Sequence, residues 1–387
     1  MPDTTNMDQE TAKSLFIEGG TFIFLNVPEG TEFGIDMKSW NTGERFRGVK
    51  MIPPGLHYIF YSNVDKLGDT APRIGFFHYF HKGEVLVKKW DKETEDISLD
   101  QVSEHEVAGL TNSLFALDKF LGPYPYDILE KWESLTSHLT VELTKVLIPE
   151  SGKVRSALEL ISKEIDKSIG NVGDGPSTSK HCKRGRINSQ EDKEDDLLPD
   201  LIPVSGTELR VTKLPERGYP EGATAAEITQ HHLDSSYVLE VMVKSYKNQN
   251  DFIGELQFCY VCFLVGHSLE AFEHWKKLIG LLCSCETGIK KFRGVYDAFI
   301  TVLEVQIQEI PEEFLADIVS NNNYVYAKLR NFFRAVIESD VDGRLKSKAE
   351  RFKKKLSELY TWDFSHLMSE DEDDAPVVVE LDEVNMV

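Results

Sequence analysis

Cys259 and Cys262 stand three positions apart, and Cys283 and Cys285 follow two apart, a spacing that in the right setting holds a metal ion. Structural zinc takes paired cysteines from knuckles and turns, where the main chain bends around the ion. Here the first pair lies inside Leu256–Val265 (LQFCYVCFLV), the most apolar run of the chain. A free cysteine in such a run acts as a small apolar side chain, so the sequence predicts no metal there. His267, Glu270 and His274 are spaced to share one face if all three lie on a helix. A helical metal site needs a second such turn opposite, and no other Glu-x-x-His exists in the chain. His274 is therefore expected to contact Glu270 one turn away. His231 and His232 are adjacent and point in different directions from a helix. The chain has no Gly-x-Ser-x-Gly, no His-Glu-x-x-His and no glycine-rich loop between a strand and a helix. Gly173-Asp174-Gly175 falls in low-complexity sequence. The expectation is a protein that is not an enzyme, with no catalytic residue, no metal and no cofactor.

The elements that would carry those residues divide the chain. At 387 residues it is long enough for two cores, with 41% hydrophobic and 10% aromatic residues. Lys and Arg total 43 against 65 Asp and Glu, a net charge of −22. That field repels phosphate, which disfavours direct nucleic-acid binding and favours a basic protein partner. Five cysteines without a disulfide pattern suggest a reducing compartment. The opening residues lack the apolar core of a signal peptide, and no run approaches the length needed to cross a membrane.

Residues 1–150 read as a mixed domain, strands before helices. Thr21–Leu25 is continuously apolar, Pro53-Pro54-Gly55 separates two extended runs, and Gly75–His81 with Glu84–Trp90 flank Lys82-Gly83 as an expected hairpin. These short strands suggest a β-sandwich-like or barrel-like sheet. Ser103 with Glu106 forms a capping box for a helix carrying Val107, Leu110, Leu114, Leu117 and Leu121, which Gly122-Pro123 would stop. The next helix would bury Ile128, Trp132, Leu135 and Leu139. Residues 151–205 read as a linker: no aromatic residue occurs between Trp132 and Tyr219. Within it Val154–Ile169 could form a short helix, and 170–200 is too polar to offset its ordering entropy.

Residues 206–365 are helical in pattern. Thr224 and Glu227 form a second capping box, opening a helix with Leu233, Tyr237 and Val241 on one face. Spacings of three and four recur at Phe272/Trp275/Ile279/Leu282, Phe292/Tyr296/Phe299/Leu303, Val325/Leu329/Phe332/Val336 and Leu345/Ala349/Phe352/Leu356. Leu256–Val265, apolar all round, is the expected central helix. The array is read as stacked antiparallel pairs. Seven basic residues from Arg344 to Lys355 precede the end of the last helix and are read as a solvated face, and Trp362-Asp363-Phe364 as a pin back onto the helices.

Residues 366–387 form an acidic tail. Ser369–Asp374 (SEDEDD) leads into Pro376, Val377, Val378, Val379, Glu380 and Leu381. A strand-forming run behind a proline suits addition to the sheet edge of a partner. The alternatives are a frayed end, or pairing with this chain's own N-terminal sheet. Ser189 and Ser369 sit before acidic residues, as acidophilic kinases prefer, and a phosphate there would alter docking. His181–Arg186 is a weak candidate import signal.

Several stretches resemble one family in order along the chain. They are GTEFGIDMKSWNTGERFRGVKMIPPGLHYIFY from Gly30, LGPYPYDILEKWESLT from Leu121, PEGATAAEIT from Pro220, GELQF…VCFL…AFEHWKKLI from Gly254 and VVVEL from Val377. They resemble the AAR-two splicing-factor family, assembly factors of the U-five small nuclear ribonucleoprotein (snRNP). The resemblance implies a C-terminal all-α, VHS-like helical superhelix and location in cytoplasm and nucleus. It also implies one main partner, the large U-five core protein of the Prp-eight family. The two domains would clamp its RNase-H-like module and the tail would join its Jab/MPN-like module, occluding both until release. Gly170–Asp200 departs from the family pattern, which leaves the release positions open. A rival reading is a VHS-like trafficking or peptide-binding adaptor.

Overall fold

A computed structural model describes residues 9–64, 69–158, 160–162, 201–311, 323–365 and 367. The chain forms two compact units, residues 1–211 with 258–272, and 212–257 with 273–387. The architecture is α+β, with strands concentrated in the first unit and helices in the second.

The first unit holds two five-stranded sheets. Their strands are β1 (Gly20–Leu25), β2 (Glu32–Ile35), β3 (Lys38–Asn41), β4 (Gly48–Ile52), β5 (Gly55–Ser62), β6 (Ile74–Phe80), β7 (Val85–Asp91), β8 (Asp96–Ile97), β9 (Leu121–Pro123) and β10 (Val154–Arg155). One sheet runs β8-β7-β1-β4-β9, the other β10-β6-β5-β2-β3. Phe22 and Phe24 of β1 meet Phe33 of β2 across the gap, with Phe22 stacked on Phe33 at 5.7 Å between ring centres. The sheets thus share one core, as in a sandwich. The apolar run of β1 is explained by its burial along nearly its whole length. Gly48, at φ +141°, is obligatory: a Cβ there would lie 1.9 Å from the Phe22 carbonyl oxygen.

The expected hairpin around Lys82-Gly83 does not form. The turn is present, with Gly83 at φ +68°, yet β6 pairs antiparallel with β5 while β7 pairs parallel with β1 in the other sheet. The turn carries the chain from one layer to the next, and the apolar β1 supplies the partner. The helix expected to reach Leu121 is also cut short. Ser103 caps Glu104–Asn112 by accepting from the Glu106 amide at 3.3 Å, but that helix buries no residue and Leu121 lies in β9, parallel to β4. Edge pairing with β4 takes precedence over helical spacing. Ile128, Trp132, Leu135 and Leu139 are all buried as expected.

Within 151–205, the described residues of the expected helix Val154–Ile169 are not helical, and 163–200 lie outside the described residues. Val154 and Arg155 pair antiparallel with β6 as the edge strand β10, and β11 (Leu160–Ser162) pairs with β12 (Leu201–Pro203). Lys153 and Arg155 ion-pair with Asp96 at 2.9 and 3.3 Å and fasten this edge.

The helices of the second half are Ala225–Leu233, Ser236–Ser245, Gln249–Leu264, Leu269–Cys283, Thr287–Lys291, Arg293–Glu309, Tyr324–Glu338 and Gly343–Tyr360. The unit boundaries after 257 and 272 fall inside the third and fourth of these. The capping box at Thr224 and Glu227 is complete in both directions. The helix it opens ends at Leu233, however, which is exposed, and Val238, Leu239, Met242 and Val243 are the buried face of the next one. Asp234 makes the break: its carboxylate accepts from the amides of Ser236, Glu286 and Thr287. In the last helices the predicted stripes are the core, with Tyr296 stacked on Phe332 at 6.0 Å and Phe299 edge-on to it.

Candidate functional site

Two buried polar clusters hold the groups best suited to chemistry, one in each unit. In the first, Asp36 occupies the turn between β2 and β3 at φ +54°, a conformation that Asp tolerates better than most residues. Its carboxylate accepts from the Tyr58 amide at 2.9 Å, from His57 Nδ1 at 2.7 Å and from the Tyr124 hydroxyl at 2.6 Å. His57 Nε2 lies 2.8 Å from the Pro53 carbonyl oxygen. Both ring nitrogens therefore face acceptors, which is the bonding of an imidazolium. Burial alone would lower the His57 pKa, but the Asp36 charge and the bonds to Asp36 and Pro53 outweigh it and raise the pKa above 6.5. Burial, then Asp36, pushes the Tyr124 phenol far above its ordinary value. The cluster fastens the Pro-Pro-Gly turn, and Trp132 reinforces it by donating to the Leu56 carbonyl at 2.8 Å.

In the second unit Glu255 is fully buried. One oxygen accepts from His274 Nε2 at 2.8 Å and from the Thr212 amide at 2.9 Å. The other accepts from the Tyr246 hydroxyl at 2.5 Å and the Thr212 hydroxyl at 2.8 Å. Burial raises the Glu255 pKa, and the bonds from His274 and Tyr246 reverse this, so it ends below 4.5. Neither cluster offers a nucleophile or an exposed acid–base pair: each carboxylate is already saturated by donors of its own fold.

The residues singled out by spacing separate in the structure. His267, at φ +57°, precedes the helix that begins at Leu269 and lies 3.0 Å from Arg73, so the three-residue face through Glu270 and His274 does not form. Arg73 also donates to the Val265 carbonyl and to Glu32, a polar staple within the first unit. His274 takes Glu255 as its partner in place of the expected Glu270, because a carboxylate buried among apolar side chains needs that charge-assisted bond more. Cys259, Cys262, Cys283 and Cys285 are all buried. Burial holds the Cys262 thiol well above its ordinary pKa and pushes Cys285 up to about 12. Among the described residues no group of three or more His, Cys, Asp or Glu could hold a metal. His231 and His232 contact different rings, Tyr237 and Tyr219. The predicted sites at Ser189, Ser369 and Pro376–Leu381, like His181–Arg186, lie outside the described residues.

What the surface offers instead are grooves. One of about 330 Å³ runs along Pro53–His57, Tyr79 and the helix carrying Trp132. Another, of about 440 Å³, lies beside the exposed Ile17 and Phe115. The largest of these three, about 500 Å³, lies between the last two helices over Phe333, Val336 and Ile337.

Sequence reasoning missed both carboxylate clusters. For Glu255 a signal existed: it is the only charge in the run Phe252–Val265, and a charge inside an apolar helix must find a buried partner. For Asp36 none did, since its partners come from β5 and from Tyr124, far along the chain.

Sheets, helices and saturated polar cores together define a two-domain α+β protein whose buried ionisable groups serve its architecture. Family models match both halves, the "AAR2 N-terminal domain" over residues 18–149 and the "AAR2 C-terminal repeat region" over 211–365. The "Protein AAR2 homolog" of Homo sapiens is 43% identical over 385 residues, covering 97% of each chain. That of Caenorhabditis elegans is 33% identical, covering 92% of this chain and 98% of its own. The "A1 cistron-splicing factor AAR2" of Saccharomyces cerevisiae is 24% identical, covering 78% and 80%. The chain belongs to the AAR2 family.

Proposed function

We propose that this chain is a splicing factor that assembles the U-five snRNP by temporarily covering the large core protein of the Prp-eight family. The observation that carries this reading is end-to-end similarity to the AAR2 homologues together with the yeast relative's name as a splicing factor. The net charge of −22 supports a basic protein surface as the target, since an acidic cover shields an RNA-binding face without competing for RNA. The RNase-H-like and Jab/MPN-like domains are the proposed contact sites, with Pro376–Leu381 adding a strand to the latter. Action in cytoplasm and nucleus, and release by phosphorylation at Ser189 or Ser369, belong to the same proposal.

The test is affinity capture from cell extract with the whole chain, followed by mass spectrometry. The large U-five core protein is the expected catch. Removing Ala375–Val387 should weaken capture while the truncated chain still folds. An extract from which no U-five component is retained would sink the reading, and loss of folding on truncation would assign the tail to this protein's own core.

A further inference from the structure

The helices Tyr324–Glu338 and Gly343–Tyr360 form a hairpin whose cleft the described residues cover along only half its length. Tyr326, Arg330, Phe333 and Ile337 recur at helical spacing and line one edge of that cleft. The chain leaving the second helix covers the first half of this row. Trp362 lies against Tyr326 at 5.7 Å, and Phe364 against Tyr326 at 5.4 Å and Phe333 at 5.0 Å. Arg330 donates to the carbonyls of Asp363 and Ser365, at 3.0 and 3.3 Å. The main chain therefore travels from Tyr326 towards Phe333. Ahead of it lies the open half, the groove of about 500 Å³ floored by Phe333, Val336 and Ala349. On its rim stand Ile337, 46% exposed, with Lys346 and Lys353.

We infer that Ser369–Leu381 docks into this groove of its own chain, Val377–Val379 on the apolar floor and the flanking acids on the lysines. Charge complementarity is the first support. The helix Gly343–Tyr360 carries seven Lys and Arg against Glu350 and Glu358, a surplus of five positive charges in a chain of net charge −22. Residues 369–387 carry eight Asp and Glu and no Lys or Arg. Length is the second. Lys346 and Lys353 are seven residues apart on a helix, roughly 10 Å along its axis, and three extended valines span roughly 10 Å. Asp374 and Glu380 then fall beyond the two ends of the valine run. Reach is the third: the eleven residues that follow Ser365, up to Pro376, extend to at most about 36–40 Å, well beyond the groove.

Local charges do not oppose this. Lys346 caps the Ile337 carbonyl at 2.9 Å and Lys353 pairs with Glu350 at 2.7 Å, both exchangeable surface contacts of small worth. Glu350, in mid-groove, faces the uncharged valines. The docked tail would be unavailable to a partner, so partner binding must first release it. The inference concerns the free protein and holds or fails whatever the partner proves to be.

Hydrogen exchange on the purified whole chain tests it against a chain ending at Met368. Amides of residues 333–338 and 346–353 should exchange about fivefold slower when the tail is present, independent of protein concentration. Ile337→Lys, an exposed position, should abolish that difference while the fold persists, and a peptide of residues 369–387 added to the truncated chain should restore it. Equal exchange with and without the tail overturns the inference. So does protection that rises with concentration, which would place the tail on a second copy, or protection confined to another surface. Capture of the U-five protein is not part of this measurement, so the two proposals fail separately.

Discussion

The two units bury similar trios, Asp36–His57–Tyr124 and Glu255–His274–Tyr246, yet the trios respond to pH in opposite directions. His57 meets an oxygen at each ring nitrogen and gains a proton more readily folded than unfolded. Its contribution is complete below about 6.5 and is lost as pH rises through the raised folded value. Glu255, held by four donor contacts, has its pKa depressed, so its contribution is complete above about 4.5 and is lost as pH falls through the lower folded value. Composition is nearly shared. What differs is which member has surplus partners, and that member sets the sign.

The largest effects should come from deleting the carboxylates. Asp36→Ala leaves an imidazolium, a phenol and an amide buried without their acceptor and should destabilise the first unit by about 4 kcal/mol. Glu255→Ala should cost the second unit about 3 kcal/mol, since His274 lies nearer the surface at 6% exposure. Urea unfolding followed separately in each unit checks both, and a cost below about 1 kcal/mol for either would end the parallel. Next in size is the pH effect. Raising pH from 6.5 should lower the first unit's unfolding midpoint, and His57→Gln should flatten that slope; lowering pH below 4.5 should weaken the second unit unless Glu255→Gln is present. Matching slopes in the two units would refute the opposition. Smallest are Tyr124→Phe and Tyr246→Phe, each expected to cost about 1 kcal/mol and to add within about 0.5 kcal/mol when combined, as independent sites do.

Legibility in the sequence followed the range of the interactions. The stripes Val325/Leu329/Phe332/Val336 and Leu345/Ala349/Phe352/Leu356 were readable because a helix satisfies its own backbone and leaves only a face to be buried. Both capping serine and threonine were readable for the same reason, since cap and amide lie three residues apart. Trp362-Asp363-Phe364 does pin back onto Tyr326 and Phe333 as expected. Strand partners were not readable. Lys82-Gly83 looks like the turn of a hairpin, and nothing local says that β7 will join β1. The positions of His267 and Leu233 were misread through spacing that continued across a helix end, where Ser268 and Asp234 supply new caps.

By itself the amino-acid order determined two cores of different class, a strand-rich first half and a helical second half, the buried cysteines, and membership of a family carried by motifs along most of the chain. These depend on side-chain type and short-range periodicity, which the chain carries wherever it goes. Tertiary structure alone decided which sheet each strand enters, that Asp36 becomes a hub, which groups meet Glu255, and that the described residues cover only half the cleft of the last hairpin. Each of those rests on groups brought together from distant positions, and their bonds have no energy until folding has removed the water between them.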